Sequence, residues 1–369
     1  MTITMTQEVN FSVGYLPMPS LRQAEPVRLE QDEALIVAAG FEDRSLAFAS
    51  FFDCSRANAL FLRYVPDLEN KIHQTAKALE NCGLKTGDIN EIEFSRFEPG
   101  GFCEQLTKWL VERKIEKAKI DISAMSKLAI CLILDVCNSL DVDLTIFYAE
   151  AASYGPTKAE YDSAKKNDKI FQPSIRMFTG LEDVVVTRRL SSTAMQGQPI
   201  ALITFMSFNE KFTQALLNRI NPRRLFLING RPPELSWREE ATAWIHETLR
   251  SEWNDDNPIH EATKLPVRST CTRDYQASVY QLLSLYWELS VEHKVLIAPT
   301  GSKMQALASY IVKAMHKDIH MEYPTPKGYL RDYSSGIGSC WMVSFGKFNH
   351  ALEGWKKMDL RHNLLNRID

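Results

Sequence analysis

The seven cysteines of this 369-residue chain (Cys54, Cys82, Cys103, Cys131, Cys137, Cys271 and Cys340) include no C-x-x-C pair and no zinc-like spacing with histidine. That excludes a disulfide framework and a zinc module, and points to reduced thiols in a cytoplasmic protein. Net charge is almost lacking too, since 43 Lys and Arg against 46 Asp and Glu leave -3. So even a balance argues against a protein that coats nucleic acid, although a local basic groove would survive the averaging. No apolar run reaches the roughly 18 to 20 residues of a membrane helix. The start "MTITMTQEVNFSVGYLPMPS" has no basic region leading into an apolar one, so no signal peptide and no membrane association are expected. Familiar catalytic signatures are also missing: there is no H-E-x-x-H pair, no G-x-S-x-G elbow, no Walker A loop and no G-x-G-x-x-G fingerprint. His316 and His320 are four apart but read as a helix end. Asp121 lacks the acid-x-Lys partner that a nuclease site would need, because "EIEFSRFEPGG" supplies only Glu91 and Glu93. No metal and no cofactor are expected.

What the chain does contain is repetition. "ALIVAAGFEDRSLAFASFF" is matched by "ALITFMSFNEKFTQALL", with Phe41 opposite Phe208. "ALFLRYVPD" is matched by "RLFLINGRP", with Phe61 opposite Phe226. "IDISAMSKLA" is matched by "LIAPTGSKMQ", which sets Ser126-Lys127 opposite Ser302-Lys303. "LTIFYAEAASYGPT" resembles "IHMEYPTPKGY", with Glu150 opposite Glu322. Four landmarks in one order, at offsets between 165 and 176, argue for two copies of one unit.

Each copy alternates short apolar runs with helices of three- and four-residue apolar spacing. This predicts an α/β fold of two tandem Rossmann-like units with mostly parallel sheets, related by internal duplication. The expected organisation is an N-terminal extension (1–30), a first unit (31–175), a linker (176–198), a second unit (199–346) and a C-terminal helix (347–369).

Ligands of such sheets bind beyond the carboxyl ends of the strands, and the repeated turns fall there. In "PTGSK", Gly301 permits close backbone approach, Thr300 and Ser302 offer hydroxyls, and Lys303 adds charge at a helix start. The upstream "SAMSK" supplies Ser123, Ser126 and Lys127. The bland alternative is that Thr or Ser only caps a helix, but capping does not require the lysine to recur. In "GFEDRS", Glu42 and Asp43 could bind ribose hydroxyls and Arg44 a phosphate, or they could form a solvated helix start. Phe208 and Asn209 occupy the matching downstream turn. Glu150 and Glu322, the latter beside Tyr323, could grip a sugar or base N–H or pair with a lysine of the other unit. "RYVPDLEN" offers Tyr64, Asp67 and Asn70 as a ligand-facing loop.

"APTGSKMQALA" resembles the [P/N]-T-G-G-T-K-x-M-x-x-A element of CRISPR-associated Rossmann-fold (CARF) sensor domains, and the tandem arrangement is similar to the fused units of SAVED domains. Thr300, Gly301, Ser302, Lys303 and Met304 match that element; its second glycine is missing, and Met125 stands where the upstream copy would carry glycine. The resemblance implies a sensor of a nucleotide second messenger, such as a cyclic oligonucleotide, in prokaryotic antiviral defence. With no room for an effector domain outside the repeat, output would pass to a separate effector protein or through homo-oligomerisation. An enzyme that cleaves such a nucleotide, or a structural subunit of a defence complex, are the alternatives.

Overall fold

Short apolar runs become strands and the amphipathic stretches between them become helices. The computed structural model describes residues 13–66, 71–167, 181–256, 268–328 and 333–365. β1 (Arg22–Gln23) and β2 (Val27–Arg28) precede β3 (Glu33–Ala38), and β4 (Phe52–Asp53) precedes β5 (Asn58–Val65). Then come α1 (Ile72–Asn81), β6 (Ile89–Ser95), α2 (Phe102–Glu112), β7 (Lys117–Asp121) and α3 (Lys127–Ser139). β8 (Asp143–Ala149), β9 (Ser153–Tyr154) and α4 (Lys158–Lys166) end the first half. After β10 (Leu181–Val185) the second half runs β11 (Ile200–Phe205), α5 (Glu210–Ile220), β12 (Arg224–Arg231), α6 (Trp237–Ile245) and α7 (Glu247–Asp256). It continues through β13 (Arg268–Cys271), α8 (Tyr275–Leu289), β14 (Lys294–Ala298), α9 (Lys303–Met315), β15 (His320–Met321) and β16 (Tyr323–Pro326). β17 (Ser334–Ser335), β18 (Cys340–Lys347) and α10 (Phe348–Leu365) follow.

The duplication is written in the topology. Five parallel strands of the first half are ordered β8-β7-β3-β5-β6, and five of the second are ordered β15-β14-β11-β12-β13. Numbered within each half, both read 5-4-1-2-3. This is the Rossmann-like order, with the switch point beside the first strand.

The sheets do not respect the boundaries that the sequence suggests. β18, which follows the second half in the chain, lies antiparallel on β8 of the first, with Val343 opposite Ile146. β10, in the expected linker, lies antiparallel on β16 of the second half, with Val185 opposite Tyr323. Each half thus gains an antiparallel partner from outside its own segment: β18 lies between β8 and the short β1, and β10 forms a separate two-stranded sheet with β16. The expected 176–198 linker and the 199–346 unit are corrected accordingly. An apolar pattern identifies a strand, but which edge it joins depends on contacts far away in the chain.

Between the two sheets stand α3 and α9, side by side. Eleven of the thirteen residues of α9 and nine of the thirteen of α3 are buried, as expected of helices covered all round. Strand alternation divides the core: Ala34, Ile36 and Ala38 face the shared α3–α9 core, whereas Leu35 and Val37 face a separate outer cluster. The shared core also takes in Ile203, Phe226 and Ile297 of the second half. α10 closes it: Phe348 stacks on Tyr310, and buried Asp359 accepts from Trp287 Nε1 at 2.9 Å and meets His316 Nε2 at 2.9 Å. Among the described residues no helix is long and apolar enough to cross a membrane.

Candidate functional site

Both repeated turns are helix starts with a capping serine. Ser126 Oγ accepts from Ala129 N at 3.1 Å, and Ser302 Oγ accepts from Gln305 N at 3.1 Å. In the second turn Gln305 reaches back to Ser302 N at 2.7 Å, completing a capping box. This explains Gly301: a Cβ there would lie 2.0 Å from Gln305 Oε1 and 2.7 Å from Phe205 Cβ. Thr300 is buried, and its hydroxyl meets Thr204 Oγ1 at 2.8 Å and the Phe205 carbonyl. The hydroxyls and the glycine of this turn therefore shape the turn itself. The lysine is different.

Lys127 and Lys303 are the first residues of α3 and α9, and both line a cavity of about 310 Å3 between the carboxyl ends of the two parallel sheets. Each side chain crosses to the other half. Lys303 Nζ donates to the Met125 carbonyl at 2.8 Å, and Lys127 Nζ lies 6.0 Å from the centre of the Tyr323 ring. The first half adds Glu42, Arg44, Tyr64, Arg96, Tyr148 and Glu150 to the wall. The second adds Phe208, Phe212, Arg238, Tyr323 and Tyr333. The result is an aromatic-walled cleft with several cations at the ends of two helices.

No protein-family model matches the chain, and no curated protein matches it. Among solved structures it is similar to the precorrin-6A reductase CobK, at 11% identity over 89% of this chain and 97% of that one, with a TM-score of 0.23. A universal stress protein from Archaeoglobus fulgidus is similar at 11% identity over 80% of this chain and 97% of that one, with a TM-score of 0.22. Leucoanthocyanidin reductase from Vitis vinifera, solved with NADPH, is similar at 13% identity over 78% and 92%, with a TM-score of 0.21. These scores are too low to bear on the site. The cleft is read from its own residues.

Its electrostatics are set by burial. Glu42 and Arg44 form an enclosed pair, with Arg44 Nη2 at 2.8 and 3.0 Å from the two carboxylate oxygens and Nε at 3.2 Å. Burial opposes the Glu42 charge, yet Arg44, Lys303 and the Ser334 hydroxyl hold the carboxyl below its ordinary range. Burial, with Arg44 next, pushes Lys303 down to about 7 and Lys127 down to about 8. Burial pushes the Asp121 carboxyl, behind the cleft, up to about 7. Glu150 Oε2 accepts from Arg273 at 3.2 Å and from Trp341 Nε1 at 2.9 Å.

Several expected site residues lie elsewhere or do other work. Asp43 is off the cavity wall: it pairs with Lys71 at 2.5 Å and accepts from Gly336 N at 2.9 Å. Together with the Ser334–Glu42 bond of 2.5 Å, it fastens the β17 segment over the first unit. Glu322 does not match Glu150 in space. It falls in the break between β15 and β16, where it meets His320 at 3.1 Å and Arg219 at 3.7 Å. Ser123 is buried and accepts from Ala149 N at 2.8 Å, tying the ends of β7 and β8. Asn209 is buried at the start of α5 and is not on the wall. Asp67 and Asn70 lie outside the described residues. Glu91 and Glu93 pair with Arg63 on the far strands. Among the described residues no group of three His, Cys, Asp or Glu could hold a metal.

Sequence reasoning missed Arg238, Arg96, Tyr148, Tyr154 and Tyr333. Arg238 sits on α6, which reads as an ordinary amphipathic helix. Its guanidinium lies 4.5 Å from the centre of the Phe208 ring and donates to the carbonyls of Tyr154, Gly155 and Pro156 at 3.3, 2.9 and 3.4 Å. It thereby clamps a loop of the first unit to the second. The only sequence signal was the tyrosine in "AEAASYGPT", two residues before a proline.

Proposed function

We propose that the chain is a sensor of a nucleotide second messenger, held in the cleft between its two Rossmann-like units. The single observation that carries this reading is the meeting of the two Ser-Lys copies. Lys127 and Lys303, 176 residues apart, line one cleft whose walls carry rings from both halves. Cations at helix N-termini suit phosphates, and tyrosine and phenylalanine faces suit bases, with stacking worth about 1 to 3 kcal/mol per base. The CARF-like element "APTGSKMQALA" supports a cyclic oligonucleotide as the messenger, antiviral defence as the setting, and a separate effector protein as the recipient of the signal.

The reading is of binding rather than turnover. The lysines offer donors to a charged ligand, and the cleft carboxylates Glu42 and Glu150 are engaged with Arg44 and Arg273. Small molecules released by denaturing the purified protein should include a nucleotide identifiable by mass spectrometry. Titration of that compound by calorimetry should give one site per chain. Chromatography after incubation with excess ligand should return it intact. A released ligand without phosphate or base, or many equivalents consumed within minutes, would sink the sensor reading.

A further inference from the structure

We propose that Lys127 and Lys303 grip one and the same anionic group, a phosphate-type oxyanion that bridges the two units. This rests on the reading of the cleft as a nucleotide site and adds where one phosphate lies and what it does there. The downstream turn matches the CARF-like element at five residues and the upstream turn only through Ser126 and Lys127; the structure brings both lysines to one cleft.

Geometry is the first support. α3 and α9 run side by side, with Asn138 Nδ2 at 3.2 Å from the Tyr310 hydroxyl, and their first residues meet at the cleft. Because Lys303 reaches the carbonyl of Met125, two residues before Lys127, and Lys127 reaches over Tyr323 of the second unit, the two side chains cross. Each lysine thus reaches toward the other unit within the one cleft that both line.

Charge accounting is the second. Arg44 is engaged by Glu42 through three contacts of 2.8 to 3.2 Å, and Arg273 is engaged by Glu150 and Glu234 at 3.2 and 3.0 Å. Among the described residues, Lys127 has no hydrogen-bond or ion-pair partner, and Lys303 has only the neutral Met125 carbonyl. Two cationic donors without a carboxylate, at the positive ends of two helices, suit an anion. A terminal phosphate carries up to about two charges and three acceptor oxygens; a phosphodiester keeps a single charge and its two non-bridging oxygens, so either can accept from both lysines at once. Such a group would hold the units together, so that ligand occupancy and the α3–α9 packing are coupled.

Protonation offers a readout independent of affinity. The titratable groups facing the pair are Glu42 and Arg44 from the first turn, Asp121 from the end of β7, Cys131 on α3 and Tyr323 on β16. With Lys127 pushed down to about 8 and Lys303 to about 7, an anion between them draws protons on.

The test is calorimetric titration of wild type, Lys127→Met, Lys303→Met and the double variant. The probes are inorganic phosphate, inorganic pyrophosphate and a panel of cyclic oligonucleotides. At pH 8 each titration is run in two buffers of different ionisation enthalpy. Because Asp121 also titrates nearby, it is repeated with Asp121→Asn. Each single substitution should weaken binding roughly ten- to a hundredfold, and the double variant should be little weaker than the worse single one. Wild type should take up roughly one proton on binding, and the single variants less. Thermal melts should stay as high as wild type or rise, since Met removes a buried charge.

Losses that multiply in the double variant, or binding with no proton uptake, would overturn the shared anion. If cyclic oligonucleotides bind with multiplying losses, the nucleotide reading stands and the shared anion falls. If pyrophosphate binds with the coupled pattern while no oligonucleotide binds, the anion site stands and the messenger reading falls. If none of the probes binds, both fall.

Discussion

Removing Arg44 should damage the fold more than removing Arg44 and Glu42 together. Their side chains are 5% and 9% exposed, and the carboxylate receives three contacts from the guanidinium. Replacing Arg44 with Met strands a buried carboxylate, and breaking such a pair from one side costs about 3 to 5 kcal/mol. Ser334 and Lys303 still favour the Glu42 charge, so the lower end, about 3 kcal/mol, is expected. With an unfolding entropy near 2.1 cal/mol/K per residue, that loss lowers the melting temperature by about 4 °C in a chain of this length.

The pH dependence has a definite sign. In wild type the Glu42 carboxyl lies below its ordinary value of 4.5, so its contribution is present above pH 4.5 and is lost as pH falls through the native value. In Arg44→Met the buried, unpaired carboxyl moves up instead. The native state then holds the extra proton, and the deficit shrinks on acidification from pH 7.5 to 5. Urea unfolding of wild type, Arg44→Met, Glu42→Gln and the double variant at both values measures all of this. If the double variant loses the sum of the two single losses, or if the Arg44→Met deficit is flat with pH, the account of this pair is wrong.

Other outcomes follow from the same geometry. Fragments 1–198 and 199–369 should each fail to fold alone, because β18 pairs with β8 of the first half and β10 with β16 of the second; co-expression should restore a soluble complex by size-exclusion chromatography, and a folded monomeric fragment would contradict the exchange. Ser126→Ala and Ser302→Ala should each lose about 1 kcal/mol in urea unfolding through their caps, Ser302 the more because it also donates to the Thr272 carbonyl at 2.6 Å. Gly301→Ala should destabilise by about 1 to 3 kcal/mol as an overpacked site, and adding Gln305→Ala should recover only part of this, because Phe205 Cβ remains 2.7 Å from the new methyl. The empty protein should gain stability between pH 7 and 9: the unfolded chain keeps both lysines protonated up to 10.5 while the native site holds them at about 7 and 8. Lys303→Met should flatten that rise in a urea titration series.

The sequence by itself determined the α/β class, the two copies and the place of the repeated turns. These are local: a continuous apolar run makes a covered strand, three- and four-residue spacing makes a helix, and "SKMQ" carries its own capping box. It also singled out Lys127 and Lys303, because a residue that recurs at a helix start beyond what capping needs stands out without any structure. Only the tertiary structure decided which strands β10 and β18 join, since strand pairing is settled by partners 138 to 204 residues away. It likewise separated Glu150, which reaches the cleft, from Glu322, which a break in the strand turns toward Arg219. The pairing of Asp43 with Lys71 and the clamp of Arg238 are of the same kind. A side chain's type is local information, but its neighbours and burial depend on which surfaces the packed units bring together, and those decide whether a charge faces the cleft or a partner.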